Sequence, residues 1–109
     1  MTIRVATLRD CDAVWKLFEP IVREGETCAL PMDWSREELL AFWFAPDHEV
    51  FVVEDDQIVG TYFLCGDEHV AKCGYVTAER TGVARAIYEH SCAHAQARGF
   101  RTMEFNFVA

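Results

Sequence analysis

Apolar positions along the chain switch between two periods, and the switches mark out the elements. Ile3-Arg4-Val5-Ala6 alternates apolar with other residues and predicts a short first strand. Thr7 and Asp10, three apart, form the kind of pair that opens a helix. Val14, Leu17, Phe18, Ile21 and Val22 then recur at helical spacing as a core-facing stripe, with Pro20 expected to kink or end the regular helix and Gly25 to close the element. Ser35 and Glu38 make a second capping box, and Leu39, Phe42 and Trp43 share one face of a short second helix that Pro46 stops.

From Val50 the pattern becomes runs rich in Val, Phe, Ile and Tyr, which predict strands over 50–53, 58–64 and 70–76. Glu54-Asp55-Asp56-Gln57 is a tight polar connection, so the first two of these should form an antiparallel hairpin, and Gly66-Asp67 marks the next turn. Beyond Gly82, the residues Ala84, Ile87, Ser91 and Ala95 line one face of a third helix, small enough to pack closely on a sheet, and Gly99 sits where a C-terminal cap belongs. Met103, Phe105 and Phe107 alternate with Glu104 and Asn106 as a last strand. The order βααβββαβ predicts one α/β (α+β) domain over residues 1–109, with a mostly antiparallel sheet and the third helix packed across it.

Composition narrows the function. Ten Lys and Arg against eighteen Asp and Glu give a net charge of −8, which repels nucleic acid and anionic membrane at long range. The charge is divided unevenly: residues 1–69 hold five basic and fifteen acidic side chains, residues 70–109 five basic and three acidic, so the C-terminal part is the one suited to an anion. Five cysteines, an odd number without a CxxC, read as free thiols in a reducing cytosol, and Cys73 as a small buried thiol rather than a nucleophile. There is no apolar signal core after Met1 and no apolar run near the ~18 residues of a membrane span. A soluble, cytoplasmic chain is expected. His90 and His94 share a helix face beside Glu89, but no third ligand is indicated, so they read as a solvent-facing pair and not a metal site.

The loop Arg80-Thr81-Gly82-Val83-Ala84-Arg85, set between a strand and a helix in this element order, resembles the GNAT superfamily of acyl-CoA-dependent N-acetyltransferases. That family's signature is Gln/Arg-x-x-Gly-x-Gly/Ala, and Gly82-x-Ala84 fits its second half. The opening residues 2–7 with Asp10, the hairpin 54–60, and Ala97-Arg98-Gly99-Phe100 at the end of the third helix extend the resemblance over nearly the whole chain. Within the superfamily, Phe18-Glu19-Pro20, Glu26-Thr27, Trp34 and Gly74-Tyr75-Val76 are similar to phosphinothricin acetyltransferase-like small-amine acetylases.

The resemblance implies acetyl-CoA as cofactor, a small primary amine as acceptor and direct acetyl transfer. It implies cofactor contacts at Tyr75, Val76, Arg80, Thr81, Gly82, Val83, Ala84 and Arg85, the helix-start N–H groups holding pyrophosphate. Counted back from Gly82, the signature's Gln/Arg position is Glu79, and Arg80 can substitute for it only if the shortened loop is rearranged. Relatives carry a base glutamate on the fourth strand where this chain has Ala71; His69, on the same strand face, is the nearest titratable substitute, against an ordinary histidine at a strand entrance. Glu26 corresponds to a position lining the acceptor pocket, against one more carboxylate of an acidic loop. Relatives also continue past Phe107 into a fourth helix and two strands, so the expectation is a truncated member, a fragment, or a chain completed by a partner. Its alternative function is non-catalytic, through CoA binding or dimerisation, and the apolar last strand predicts a homodimer.

Overall fold

The computed structural model describes residues 1–24, 35–67, 69–78 and 82–108. Strand β1 (Thr2–Val5) leads through a 3-10 turn (Leu8–Asp10) into helix α1 (Cys11–Glu24), followed by α2 (Arg36–Trp43), β2 (Glu49–Asp55), β3 (Gln57–Asp67), β4 (Val70–Thr77), α3 (Val83–Ala97) and β5 (Thr102–Val108). The strands form one sheet in the order β1-β2-β3-β4-β5, antiparallel except for the parallel β4–β5 pair. This is the mixed, mostly antiparallel α+β sheet that the element order predicts. Among the described residues, no helix is long and apolar enough to cross a membrane.

The alternation along the strands sorts their side chains into two cores. Val50, Val52, Phe63 and Val76 meet Val14 and Phe18 of α1 and Leu39 and Trp43 of α2 on one face. Phe51, Val53, Tyr62, Leu64, Ala71 and Cys73 meet Val83, Ile87 and Ala95 of α3 on the other. Trp43 is the centre of the first core: its ring stands edge-on to Phe18 at 4.7 Å and to Phe63 at 4.9 Å, and its Nε1 donates to Thr61 Oγ1 at 3.1 Å.

α1 contains Pro20 on its exposed side and ends four residues later at Glu24. Three local expectations need correcting. β3 continues through Gly66 to Asp67; the Phe100 ring lies 1.9 Å from where a Gly66 Cβ would be, so this glycine marks a close approach and not a turn. The buried stripe of α3 begins at Val83, while Ala84 is exposed. His90 and His94 are half-buried against the sheet instead of facing solvent. Gly25 and the side chains of Ile21, Val22 and Phe107 lie outside the described set.

Asp10 ties β1 to the start of α1. Its carboxylate accepts from both terminal nitrogens of Arg4 at 2.9 Å and from the Thr7 N–H at 2.7 Å. The Arg4 bond above all, against the opposing effect of burial, holds this carboxyl below its ordinary value of 3.8. The stability it contributes is therefore present above the unfolded pKa and lost as pH falls through the lower folded value. Asp10→Asn should be less stable at neutral pH and show a shallower loss below about pH 4 than the parent chain, read by acid titration of the circular dichroism.

Candidate functional site

The start of α3 carries the geometry most suited to a ligand. Gly82, its N-cap residue, has φ 89°, a left-handed conformation that a glycine adopts without steric penalty. The first internal hydrogen bond of the helix is Ala86 N–H to Gly82 O at 3.0 Å, which leaves the N–H groups of Val83, Ala84 and Arg85 without an intrahelical acceptor. Glycine offers no capping side chain, no acid lies in the first turn, and nothing among the described residues approaches within 4 Å of a Cβ placed on Gly82. Three donors without an intrahelical acceptor thus gather at the positive end of the helix dipole, the arrangement that a phosphate or pyrophosphate requires.

Packing holds this cradle in place. Val83 is 1% exposed and presses on the sheet at Gly60, where an added Cβ would lie 2.9 Å from Val83 Cγ1 and 3.2 Å from Ile87 Cδ1. The missing side chain at Gly60 lets the first turn of α3 sit hard on β3. The other end of the helix is closed by Phe100 N–H to Ala95 O and Gly99 N–H to Gln96 O, both at 3.0 Å, the double bond expected of a glycine just past a helix. Arg85 is 84% exposed and, among the described residues, is held only by an i,i+4 contact to Glu89 at 3.2 Å, an ion pair weak enough to yield to an anion.

The other sequence-derived site residues divide by position. β4 runs two residues, Val76 and Thr77, beyond its last pairing with β5 at Tyr75 and Val108. The β4–β5 register shifts between Cys73, opposite Phe105, and Gly74, opposite Phe107. Val76 is fully buried in the core under α1 and α2, while Tyr75 packs edge-on against Phe105 at 6.0 Å and Phe105 stacks on Tyr88 at 5.8 Å. His69 is exposed in the turn before β4, its carbonyl accepting from the Arg101 and Thr102 N–H groups at 2.8 and 3.2 Å. The eight residues of β4 lie along the chain between it and the segment that leads to α3. Ala71 is fully buried in the α3-side core. Glu26, Glu79, Arg80 and Thr81 lie outside the described residues.

Sequence reasoning missed two polar clusters, both built from residues far apart in the chain. Under α3, His90 Nδ1 lies 2.6 Å from the Tyr62 hydroxyl, and Glu49 receives His94 Nε2 at 2.9 Å and Arg98 at 2.8 Å. Burial, then the neighbouring His94, holds the His90 imidazole below its usual value; burial pushes the Tyr62 hydroxyl up. Burial also raises Cys73, to about 12, so this thiol is inert at neutral pH, as its apolar setting predicts. The second cluster joins Asp47, His48 and Cys65 on the α2 side.

No family model and no curated protein matches the chain. Solved structures do. A GCN5-related N-acetyltransferase from Kribbella flavida is 27% identical, with 96% of this chain and 70% of that one aligned at a TM-score of 0.85. A candidate acetyltransferase from Salmonella typhimurium, solved with its cofactor acetyl-CoA, is 19% identical over 96% of this chain and 68% of its own at 0.79. A candidate phosphinothricin N-acetyltransferase is 17% identical over 95% and 71% at 0.77.

Proposed function

Because this chain has the fold of the GCN5-related N-acetyltransferases, we propose that it is an acetyl-CoA-dependent N-acetyltransferase whose acceptor is a small primary amine. The observation that carries this reading is the start of α3, where three N–H groups without an intrahelical acceptor follow a left-handed Gly82. Bound acetyl-CoA supplies an activated acyl carbon and a thiolate leaving group. Val83, Ala84 and Arg85 hold its pyrophosphate through their N–H groups, with the Arg85 side chain adding charge. Arg80 and Thr81 extend this anion site by the resemblance. The backbone of Tyr75 and Val76, at and just past the last β4–β5 pair, would hold the pantetheine arm of bound acetyl-CoA. Acyl transfer with loss of the CoA thiolate would require the acceptor nitrogen to give up its proton to a base.

His69 is our candidate for that base and Glu26 for the group that attracts the acceptor's ammonium. His69→Gln should lower kcat by about 10²-fold or more with little change in the KM for acetyl-CoA, whereas a plain turn histidine would leave both unchanged. The four described cysteines, Cys11, Cys65, Cys73 and Cys92, are free, in keeping with the cytoplasmic compartment we infer.

One observation favours a second, non-catalytic reading: at the position where relatives carry a carboxylate, Ala71 is sealed in the core. In that case the chain acts through CoA binding or by homodimerisation at β5, whose outer edge has no strand partner among the described residues. Light scattering is then expected to give about twice the chain mass of 12.5 kDa; a monomer with acetyl-transfer activity would remove this reading.

A further inference from the structure

Asp47 and His48 lie in the turn from α2 to β2, and Cys65 lies on β3, half-buried against the core beneath α2. A carboxylate oxygen of Asp47, a ring nitrogen of His48 and Cys65 Sγ all come within 4.8 Å of one another. Nothing in the acetyl-transfer reading uses them, and they sit at the end of the sheet away from the α3 cradle.

The histidine is prepared for a ligand. Its Nδ1 is 2.9 Å from the Trp43 carbonyl oxygen. A carbonyl only accepts, so Nδ1 carries the proton and the neutral ring keeps its lone pair at Nε2. Metal-binding histidines are oriented by the same arrangement, one ring nitrogen donating to a backbone carbonyl while the other coordinates. The ring is also held in place by packing: it lies flat on Phe63 at 4.1 Å with 10° between planes, and meets Phe42 edge-on at 5.6 Å.

We propose that Asp47, His48 Nε2 and Cys65 Sγ form a site for a thiophilic divalent cation, with zinc the best match, and that a water fills its fourth position. Sulfur, imidazole and carboxylate together select a borderline-soft ion; calcium and magnesium call for oxygen ligands throughout. Tetrahedral zinc places its donors about 3.5 Å apart, so the three groups need to close by about 1 Å. Asp47 is exposed and free to make that adjustment by changing rotamer, and its exposure leaves room for the water. Burial and then the Asp47 carboxylate hold the Cys65 thiol above its usual value, with Lys72, its partner across β3 and β4, working the other way, so metal binding has to displace the thiol proton. Once bound, the ion clamps the α2–β2 turn onto β3.

Cobalt(II) titration of the reduced, metal-free chain tests this directly. A near-ultraviolet thiolate-to-cobalt charge-transfer band with visible bands of a four-coordinate ion is expected, saturating at one cobalt per chain and displaced by zinc. Cys65→Ser should abolish the charge-transfer band, and Asp47→Asn, a change at an exposed side chain, should weaken cobalt binding roughly tenfold or more while leaving the circular dichroism unchanged. Zinc should raise the thermal midpoint of the parent chain and not that of Cys65→Ser. Absence of the band, or a band that survives Cys65→Ser and so comes from another cysteine, overturns the proposal. Neither result bears on acetyl-CoA binding, since the two sites share no residue.

Discussion

Trp43→Ala is expected to lower the unfolding free energy by about 3–5 kcal/mol. The indole is fully buried and is the piece that joins both helices of its face to the sheet: Phe18 of α1 and Phe63 of β3 stand edge-on to it at 4.7 and 4.9 Å. Truncation removes the largest fully buried side chain among the described residues, leaves a cavity between elements held apart by their own packing, and deprives Thr61 Oγ1 of a donor. The Thr61 hydroxyl still donates to the Phe51 carbonyl at 2.8 Å, so the polar cost is small and the cavity dominates. Against a total of roughly 5–15 kcal/mol for a domain of this size, such a loss leaves a barely folded chain. Trp43→Phe should recover most of it. Urea denaturation followed by circular dichroism measures both; a loss under about 1 kcal/mol for the alanine variant would contradict the packing described.

Gly82→Val is expected to weaken acetyl-CoA binding by roughly 10–100-fold while leaving the fold intact. The cradle depends on φ 89° at this residue, which a β-branched side chain resists. The space around Gly82 is open among the described residues, so the substitution acts through backbone conformation and not through a clash. As the turn swings out of the left-handed region, one or two N–H groups lose their aim, and each bond to a charged acceptor is worth about 1.5–3 kcal/mol. Gly82→Asn separates the two effects, because asparagine tolerates this conformation and should retain most of the affinity. Calorimetric titration of both variants gives the comparison; equal loss in the two would point to a need for a bare glycine, and no loss in either would remove the anion site from this turn.

What the sequence made legible was local. The Ser35–Glu38 capping box heads α2 as its spacing predicts, with Ser35 Oγ accepting from the Glu38 N–H at 3.2 Å. The acidic turn of the β2–β3 hairpin closes at Asp56, whose φ is 66°, and Gly99 closes α3. Period-two runs gave the strands and their two faces, because an alternating strand buried on both sides has nowhere else to put its side chains. Contacts made between elements were not legible. Gly66 reads as a turn until Phe100, more than thirty residues on, is seen against it. His90 and His94 read as surface residues because polar side chains at helical spacing carry no sign of Tyr62 and Glu49 waiting on the sheet. Asp47, His48 and Cys65 form no spaced motif at all, and only the return of β3 past the α2–β2 turn brings them together. The place of Gly82-x-Ala84 was legible too, since the strand before it and the helix after it are both predictable from local pattern.

The account rests on acetyl-CoA binding to the native chain, and a thermal-shift titration with acetyl-CoA tests it most directly. A ligand that binds only the folded state stabilises it by about 2.7 kcal/mol at a hundredfold excess over Kd, which for a domain of this size is an upward shift of roughly 10 °C or more. The midpoint should climb with the logarithm of acetyl-CoA concentration, and the climb should be much reduced in Gly82→Val. A midpoint that stays fixed up to roughly millimolar acetyl-CoA would contradict the account.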